Sequence, residues 1–422
     1  MGTRGRHEEE GSLIGGKMQK TQGARARHFF RHARALCIIV MLPLSGNAQI
    51  SGYASTSLSV HSNPLYNSTT SSDRLSEAYL ELNYADETEA RTWTFGYLGA
   101  LVLFNDFAPR NYYEHRVRVE YGRDSLKLSG LVGARHDRGE YAEFDNVHFS
   151  LRAANSWGAG ASHIGLSDVF LVRSYSFVHE LDNLSNETRV VLTTGKPETV
   201  SGHIGATFGV KYFTTNAIDT ASFAVVQSTG KGNQGRGRGQ GNAGARTSAS
   251  IKKQAILVSS GAAHAVQVAP EAGMAKGWTE GEVRATVLLR INPGSDTRLL
   301  SNVGGNSILA SDIYNDHFTY GGPEFSLVFR QEFSPAIRVS LEGELQRRKY
   351  LSPAFDIAGT VTDPTRVDLR GSLQTSFTRP FALGDDVSLE VALQIAILRN
   401  QSNDMFNDYG AAAAGVSIGI SF

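Results

Sequence analysis

Cysteine, net charge and long apolar runs are what this 422-residue chain has least of. Its one cysteine, Cys37, lies near the start, and nothing after it can form a disulfide. A large exported chain without disulfides is held together by other means, and a dense hydrogen-bonded sheet is one of them. Basic and acidic side chains balance at 41 each. No apolar stretch reaches the about 18 residues that a transmembrane helix needs, so a helical membrane protein is excluded. Disorder is excluded too. Hydrophobic residues make up 41% of the chain, and the 44 glycines bring the total near that of an ordinary folded domain.

Residues 1–48 read as a leader with an extended N-terminal region. Arg25, Arg27, Arg31 and Arg34 are basic, Ala35 to Leu44 is apolar, and Ser45-Gly46-Asn47-Ala48 places small residues at −3 and −1 of a cleavage site after Ala48. That is the layout of a secretory signal peptide. The leader holds eight of the basic and three of the acidic residues, so residues 49–422 carry 33 basic and 38 acidic side chains. Cys37 is preceded by Arg34-Ala35-Leu36, which does not suit a lipoprotein signal.

Period two runs through the rest. Ile337, Val339, Leu341, Gly343 and Leu345 alternate with Arg338, Ser340, Glu342 and Glu344. Val367, Leu369, Gly371, Leu373 and Phe377 alternate with Asp368, Arg370, Ser372, Gln374 and Ser376. Val387 to Ile397 alternates in the same way, with Glu390 and Gln394 on the polar face. Successive side chains of a strand point to opposite faces, whereas on a helix these apolar positions would scatter around the axis. Weaker alternation marks Trp93–Leu103, His115–Tyr121, Leu126–Val132, Val147–Ala153, Ile204–Tyr212 and Val283–Leu289. Gly122-Arg123-Asp124 and Asn292-Pro293-Gly294-Ser295 read as turns.

Strands this long, apolar on one face and charged on the other, fit an all-β, single transmembrane antiparallel β-barrel better than a sandwich with a dry core. Backbone groups cannot stay unpaired in lipid, so such a sheet must close. At roughly 25 residues per strand and connection, residues 49–422 supply about 12–16 strands, with 14 as the central value, and long extracellular loops. Residues 214–280 resist assignment. They contain a Gly-rich basic loop at about 228–248, and no acidic residue occurs between Asp219 and Glu271. Its Arg-Gly repeats are read as a solvated loop, so no nucleic acid is expected as a partner. Gly239 to Gly244 fits a dinucleotide fingerprint on paper, but no helical pattern and no acid follow at the required distance.

The last strand is the most specific signal. Val416, Ile418, Ile420 and Phe422 alternate with Gly415, Ser417, Gly419 and Ser421, and the chain ends on Phe. This end, with the Asn400 to Tyr409 segment before it, resembles the C-terminus of bacterial outer-membrane β-barrels. The resemblance implies a location in the outer membrane of a Gram-negative bacterium. It also implies recognition of Val416, Ile418, Ile420 and Phe422 by the barrel-assembly machinery, with outer-membrane lipid and lipopolysaccharide as surroundings. It implies no activity.

Few residues suggest chemistry. Asn403, Asp404, Asn407 and Asp408 are hard oxygen donors, but their spacing matches no calcium loop and they read as turn formers. His136-Asp137 is placed in a turn and Asp316-His317 before the strand containing Phe325, neither with a nucleophile in a recognisable frame. No catalytic residue, metal or cofactor is assigned, and the chain is not read as an enzyme. Tyr97, Tyr112, Tyr113, Tyr121, Tyr350, Phe377, Phe381, Tyr409 and Phe422 are expected near strand ends, at headgroup level. The expected role is a porin-like passive channel for small polar solutes. Its candidate lumen residues are Arg116, Arg118, Arg338, Glu342, Glu344, Asp368, Arg370 and Glu390. Opposite charges facing one another would set a transverse field across a pore. The competing reading is a non-conducting surface barrel whose loops bind a partner or lipopolysaccharide. The oligomeric state is left open.

Overall fold

Strand alternation on this scale leads to closure, and the computed structural model shows it. The structure describes residues 48–422 apart from 65–70, 89, 178, 197–198, 215–263, 294–315, 334–335, 352 and 357–359. The leader up to residue 47 and the Gly-rich loop at 228–248 lie outside the described residues. In chain order the strands are β1 (Ala48–His61), β2 (Asp73–Thr88), β3 (Arg91–Phe104), β4 (Tyr112–Arg123), β5 (Leu126–Asp137) and β6 (Asn146–Ala159). Next come β7 (Ser162–Tyr175), β8 (Asn183–Gly195), β9 (Val200–Phe213), β10 (His264–Trp278), β11 (Gly281–Arg290) and β12 (Tyr320–Phe333). The last six are β13 (Ile337–Tyr350), β14 (Ala354–Phe355), β15 (Val361–Asp363), β16 (Val367–Ala382), β17 (Ser388–Ser402) and β18 (Tyr409–Ser421).

All but β14 and β15 form one closed barrel in which each strand neighbours the next in sequence and β18 returns to β1. The barrel therefore has 16 strands, the upper end of the expected range rather than its centre. β14 and β15 make a small separate ribbon. Among the described residues no helix is long and apolar enough to cross a membrane.

Connections sort by end. At one end they are short: Asp124-Ser125 between β4 and β5, residues 160–161 between β6 and β7, 279–280 between β10 and β11. Asp124 takes a positive φ of 53° there, a conformation Asp tolerates in tight turns. At the other end they are 62–72, 105–111, 138–145, 176–182, 214–263, 291–319, 351–366 and 403–408. We call these the turn end and the loop end.

Facing follows from register. Leu373 pairs with Ile397 and Gly343, Ile395 with Ala414, Val416 with Leu58. These side chains form an apolar outer face on which Leu373 is 41%, Ile397 52% and Val416 48% exposed. Exposed Leu, Ile and Val in continuous rows are unfavourable in water and favourable against acyl chains. Alternate residues point inward.

The seam between β1 and β18 joins Phe422 to Gly52. Gly52 and Phe422 exchange two backbone hydrogen bonds, 2.7 and 3.0 Å. The Phe422 ring lies over Gly52, where a Cβ would come within 2.3 Å of it. One strand is irregular: Gly322 has φ +139° and approaches the Arg347 carbonyl so closely that a Cβ would sit 1.9 Å away. The register of β12 against β13 skips Gly322 and Pro323, since Pro323 has no N–H to give.

Two local expectations are corrected. His136 and Asp137 do not lie in a turn; they close β5, paired with Tyr113 and Tyr112. Tyr97 is not near a strand end but midway along β3, and Phe377 lies well inside β16.

Candidate functional site

The inner wall divides by depth. Toward the loop end its polar side chains are buried, and most are paired with one another, although one Arg348 nitrogen, Nη2, lacks a hydrogen-bond partner. Asp368 is 1% and Arg366 7% exposed, and they form a two-point pair at 2.5 and 3.0 Å. Asn400 Nδ2 and Ser402 Oγ also donate to Asp368, at 3.1 and 2.6 Å. Arg366 lies over the Tyr350 ring, Arg348 over Tyr320 and Arg135 over Tyr112. Arg135 is held by Asp137 at 2.6 Å, and Arg290 by Glu324 at 2.7 Å and Gln267 at 2.7 Å. A buried charge survives only when paired and hydrogen-bonded, and each of these cations meets that condition with an acid, an amide or an aromatic face.

Loop segments are tied to this layer. Asp73 accepts from the backbone N–H of Asp106 (2.9 Å) and Phe107 (3.1 Å). Asp316 accepts from the N–H of Phe318 at 3.1 Å and pairs with Lys211 at 2.5 Å. Burial works to raise the Asp316 carboxyl, but Lys211 and His317 outweigh it and hold the group below its usual value. Burial pushes the Asp404 carboxyl up, against the pull of Arg366.

Toward the turn end the inward side chains are open, and here the wall differs around the circumference. On β2, β4 and β8 to β13 it is charged. Arg118 bonds Glu81 (2.8 Å) and Asn83 (3.0 Å), Arg189 bonds Glu271 (2.9 Å), and Arg116 reaches back to Glu114 (2.8 Å), which is buried nearer the loop end. Glu282 is shared by Arg330 (2.8 Å) and Arg284 (3.3 Å), with Glu342 3.7 Å from Arg330. On β16 to β18 and β1 the wall is nearly neutral and fine-grained. Gln374 and Ser376 on β16, Gln394 and Ala396 on β17, Gly415 and Ser417 on β18, and Ser57 and Ser59 on β1 face inward.

All eight candidate lumen residues lie on inward positions, but their partners are local. Arg116 binds an acid two residues away on its own strand, Arg118 one on β2. Arg338 is 4.0 Å from Glu332, and Glu344 accepts from Gln346 at 2.5 Å. Asp368 belongs to the buried layer, and the Arg370 Nε is buried without a hydrogen-bond partner. Glu390 sits near the turn end opposite Gly419 and Pro380. The pairs named here join residues of the same strand, of adjacent strands or, for Arg118–Glu81 and Arg189–Glu271, of strands two apart, not of opposite walls.

The remaining chemical candidates do ordinary structural work. Asp404 accepts from the Phe406 N–H (2.9 Å), Asn403 from the Val367 N–H (2.8 Å), and Asp408 pairs with Arg399 (2.5 Å). His136 lies 3.4 Å from Asp145, and His317 3.2 Å from Glu187. Among the described residues no group of three or more His, Cys, Asp or Glu is placed to hold a metal ion. Arg366, Glu77, Tyr53 and Tyr79 escaped the sequence reading. Arg366 precedes its strand, and the others stand in segments whose alternation is masked by serine and tyrosine.

No known family profile matches the chain, and no curated protein matches it. Solved structures of related architecture include Acinetobacter baumannii OccAB2, 8% identical with a TM-score of 0.48 over 89% of this chain and 98% of that one. The anion-selective porin from Comamonas acidovorans is 9% identical with a TM-score of 0.39, over 89% and 98%. Pseudomonas aeruginosa OpdQ is 9% identical with a TM-score of 0.41, over 90% and 99%. At these values the likeness adds nothing to what the strand register establishes.

Proposed function

We propose that this chain is an outer-membrane β-barrel of a Gram-negative bacterium that passes small polar solutes by diffusion. The carrying observation is a closed 16-strand wall, apolar outside and polar within, whose inner side chains near the turn end remain exposed. Arg338 and Glu342 are 55% and 49% exposed on that wall, as solvated lumen groups would be. The turn end faces the periplasm, in keeping with the short-turn, long-loop asymmetry of such barrels. The strand Val416, Ile418, Ile420 and Phe422 is the assembly signal on this reading, and lipid and lipopolysaccharide cover the outer face. Diffusion requires no nucleophile, and no residue is given a catalytic role.

One observation favours the alternative of a sealed surface anchor: the buried, extensively paired layer at the loop end, centred on Arg366 and Asp368. Recording from the purified, detergent-folded protein in a planar lipid bilayer separates the two. Stable stepwise conductance supports the channel, and an inserted but silent barrel overturns it.

A further inference from the structure

Most of the charged groups described on the lumen wall are already neutralised by neighbours, so the uncommitted binding groups lie on the neutral sector. Resting on the channel reading, we propose that this sector holds a subsite for a small uncharged polyhydroxylated solute, a mono- or disaccharide.

The site is a cavity of about 50 Å3 bounded by side chains from five consecutive barrel strands, among them Ser57, Glu77, Gln374 and Gln394. Each primary amide offers both donors and an acceptor, which is what adjacent sugar hydroxyls, themselves donors and acceptors, can use in pairs. Glu77 adds an acceptor. Ser57 Oγ donates to it at 3.1 Å, and among the described residues no cation pairs with it. A carboxylate without a paired cation disfavours anionic solutes in the cavity and accepts from hydroxyls. Gln374 is exposed to the lumen, so its amide is available to a passing molecule.

An apolar platform lies further toward the turn end, four residues along β1 and two along β2. The Tyr53 and Tyr79 rings are 6.1 Å apart at 61°. Tyr79 is anchored by its hydroxyl to Glu81 at 3.1 Å. Tyr53 lies flat along the wall because residue 419 is glycine; a Cβ there would stand 2.5 Å from the Tyr53 hydroxyl oxygen. Sugars present C–H faces as well as hydroxyl edges, and an aromatic face beside amides and a carboxylate meets both. The neighbouring wall is kept low by Ala396, Ala413 and Gly415. The cavity accepts an edge of a sugar ring rather than a whole ring, so binding is weak, on the order of 1 mM, and release is fast. A solute in transit needs both.

The test uses the same bilayer recordings, with maltose added to one side and lysine as a charged comparison. Maltose is expected to reduce the ion current in a saturable way. The half-saturating concentration should rise about tenfold or more in a Gln374→Ala, Gln394→Ala double variant whose sugar-free conductance is retained. Gln374→Asn should recover part of the loss. Heat-modifiable gel mobility confirms that each variant is folded. Current that falls only with the bulk conductivity of the sugar solution overturns the subsite and leaves the channel standing. So does equal block in wild type and double variant, or saturable block by lysine alone. A silent wild-type barrel overturns the channel and the subsite with it.

Discussion

The two sectors of the inner wall are made by the same strand geometry and differ in what they do with charge. On β2, β4 and β8 to β13, Arg and Glu occupy inward positions and find each other across one or two strand spacings, as Arg330 finds Glu282 on the next strand and Arg118 finds Glu81 beyond β3. On β16 to β18 and β1, below Glu390 near the turn end, mostly Ser, Gln, Ala and Gly occupy the equivalent positions down to the depth of Asp368 and Arg370. The comparison teaches that a lumen wall need not project a field wherever it is polar. Charges locked to strand neighbours keep the wall wet while much of their mutual field is cancelled locally, and recognition is left to the neutral side.

The sharpest break of this contrast lies where the neutral sector meets the buried layer. Asp368→Ala leaves Arg366 buried without its acid and should cost about 3–5 kcal/mol of folding stability, read as a lower urea midpoint in detergent or vesicles. Asp368→Asn keeps an acceptor and should cost less. If Asp368→Ala leaves the midpoint unmoved, the buried layer is not what holds the loop end.

The contrast between faces is next in size. Leu373 and Gln374 are consecutive, one outward and one inward. Leu373→Arg places a charge against acyl chains and should cost about 2–4 kcal/mol, whereas Gln374→Arg should leave stability nearly unchanged. Equal costs from the two substitutions would show that the outer face does not meet lipid.

A smaller, pH-dependent effect belongs to the loop end of the charged sector. The carboxyl of Asp316 lies below its ordinary value of 3.8 in the folded protein. A depressed carboxyl contributes stability that is present above the unfolded value and lost as pH falls through the folded one. The stability difference between wild type and Asp316→Asn should therefore be largest near neutral pH and shrink below about pH 4. A difference that grows on acidification would contradict the Lys211 pairing.

These contrasts were unequally legible in the sequence. β13, β16 and β17 alternate Leu, Ile and Val with charged or amide residues, and β18 alternates Val and Ile with Gly and Ser, so their faces could be assigned without coordinates. β10 could not. It begins in the acid-free tract before Glu271, carries Pro270 at an outward mid-strand position opposite Ala206, and alternates Ala272 and Met274 with Gly273 and Ala275. Small residues on both faces give almost no period-two contrast, which is one reason the central count of 14 fell short of 16. Period two was also enough to place Arg338, Glu342 and Asp368 on one face. It could not supply Arg366, which reaches Asp368 from the connection before β16, nor the platform of Tyr53 and Tyr79, which depends on the register of β1 against β18 and on Gly419.

The smallest expected effect on stability gives the finest reading of the comparison. Arg330 and Arg338 are more than half exposed at the turn end of the charged sector. Solvated pairs of this kind contribute about 0–1 kcal/mol, so Arg330→Ala with Arg338→Ala should leave the unfolding midpoint almost in place. Removing two cations from the wall also leaves Glu282 and Glu332 less compensated, and a wall with surplus negative charge concentrates cations. The reversal potential in a salt gradient should therefore shift toward cation selectivity, more strongly at low ionic strength, where the screening length is greater. Ser376→Ala, at a comparable depth in the neutral sector, should shift neither quantity. If the double variant conducts with unchanged selectivity at low salt, ions do not pass along the charged wall, and the conducting path would have to follow the neutral sector alone.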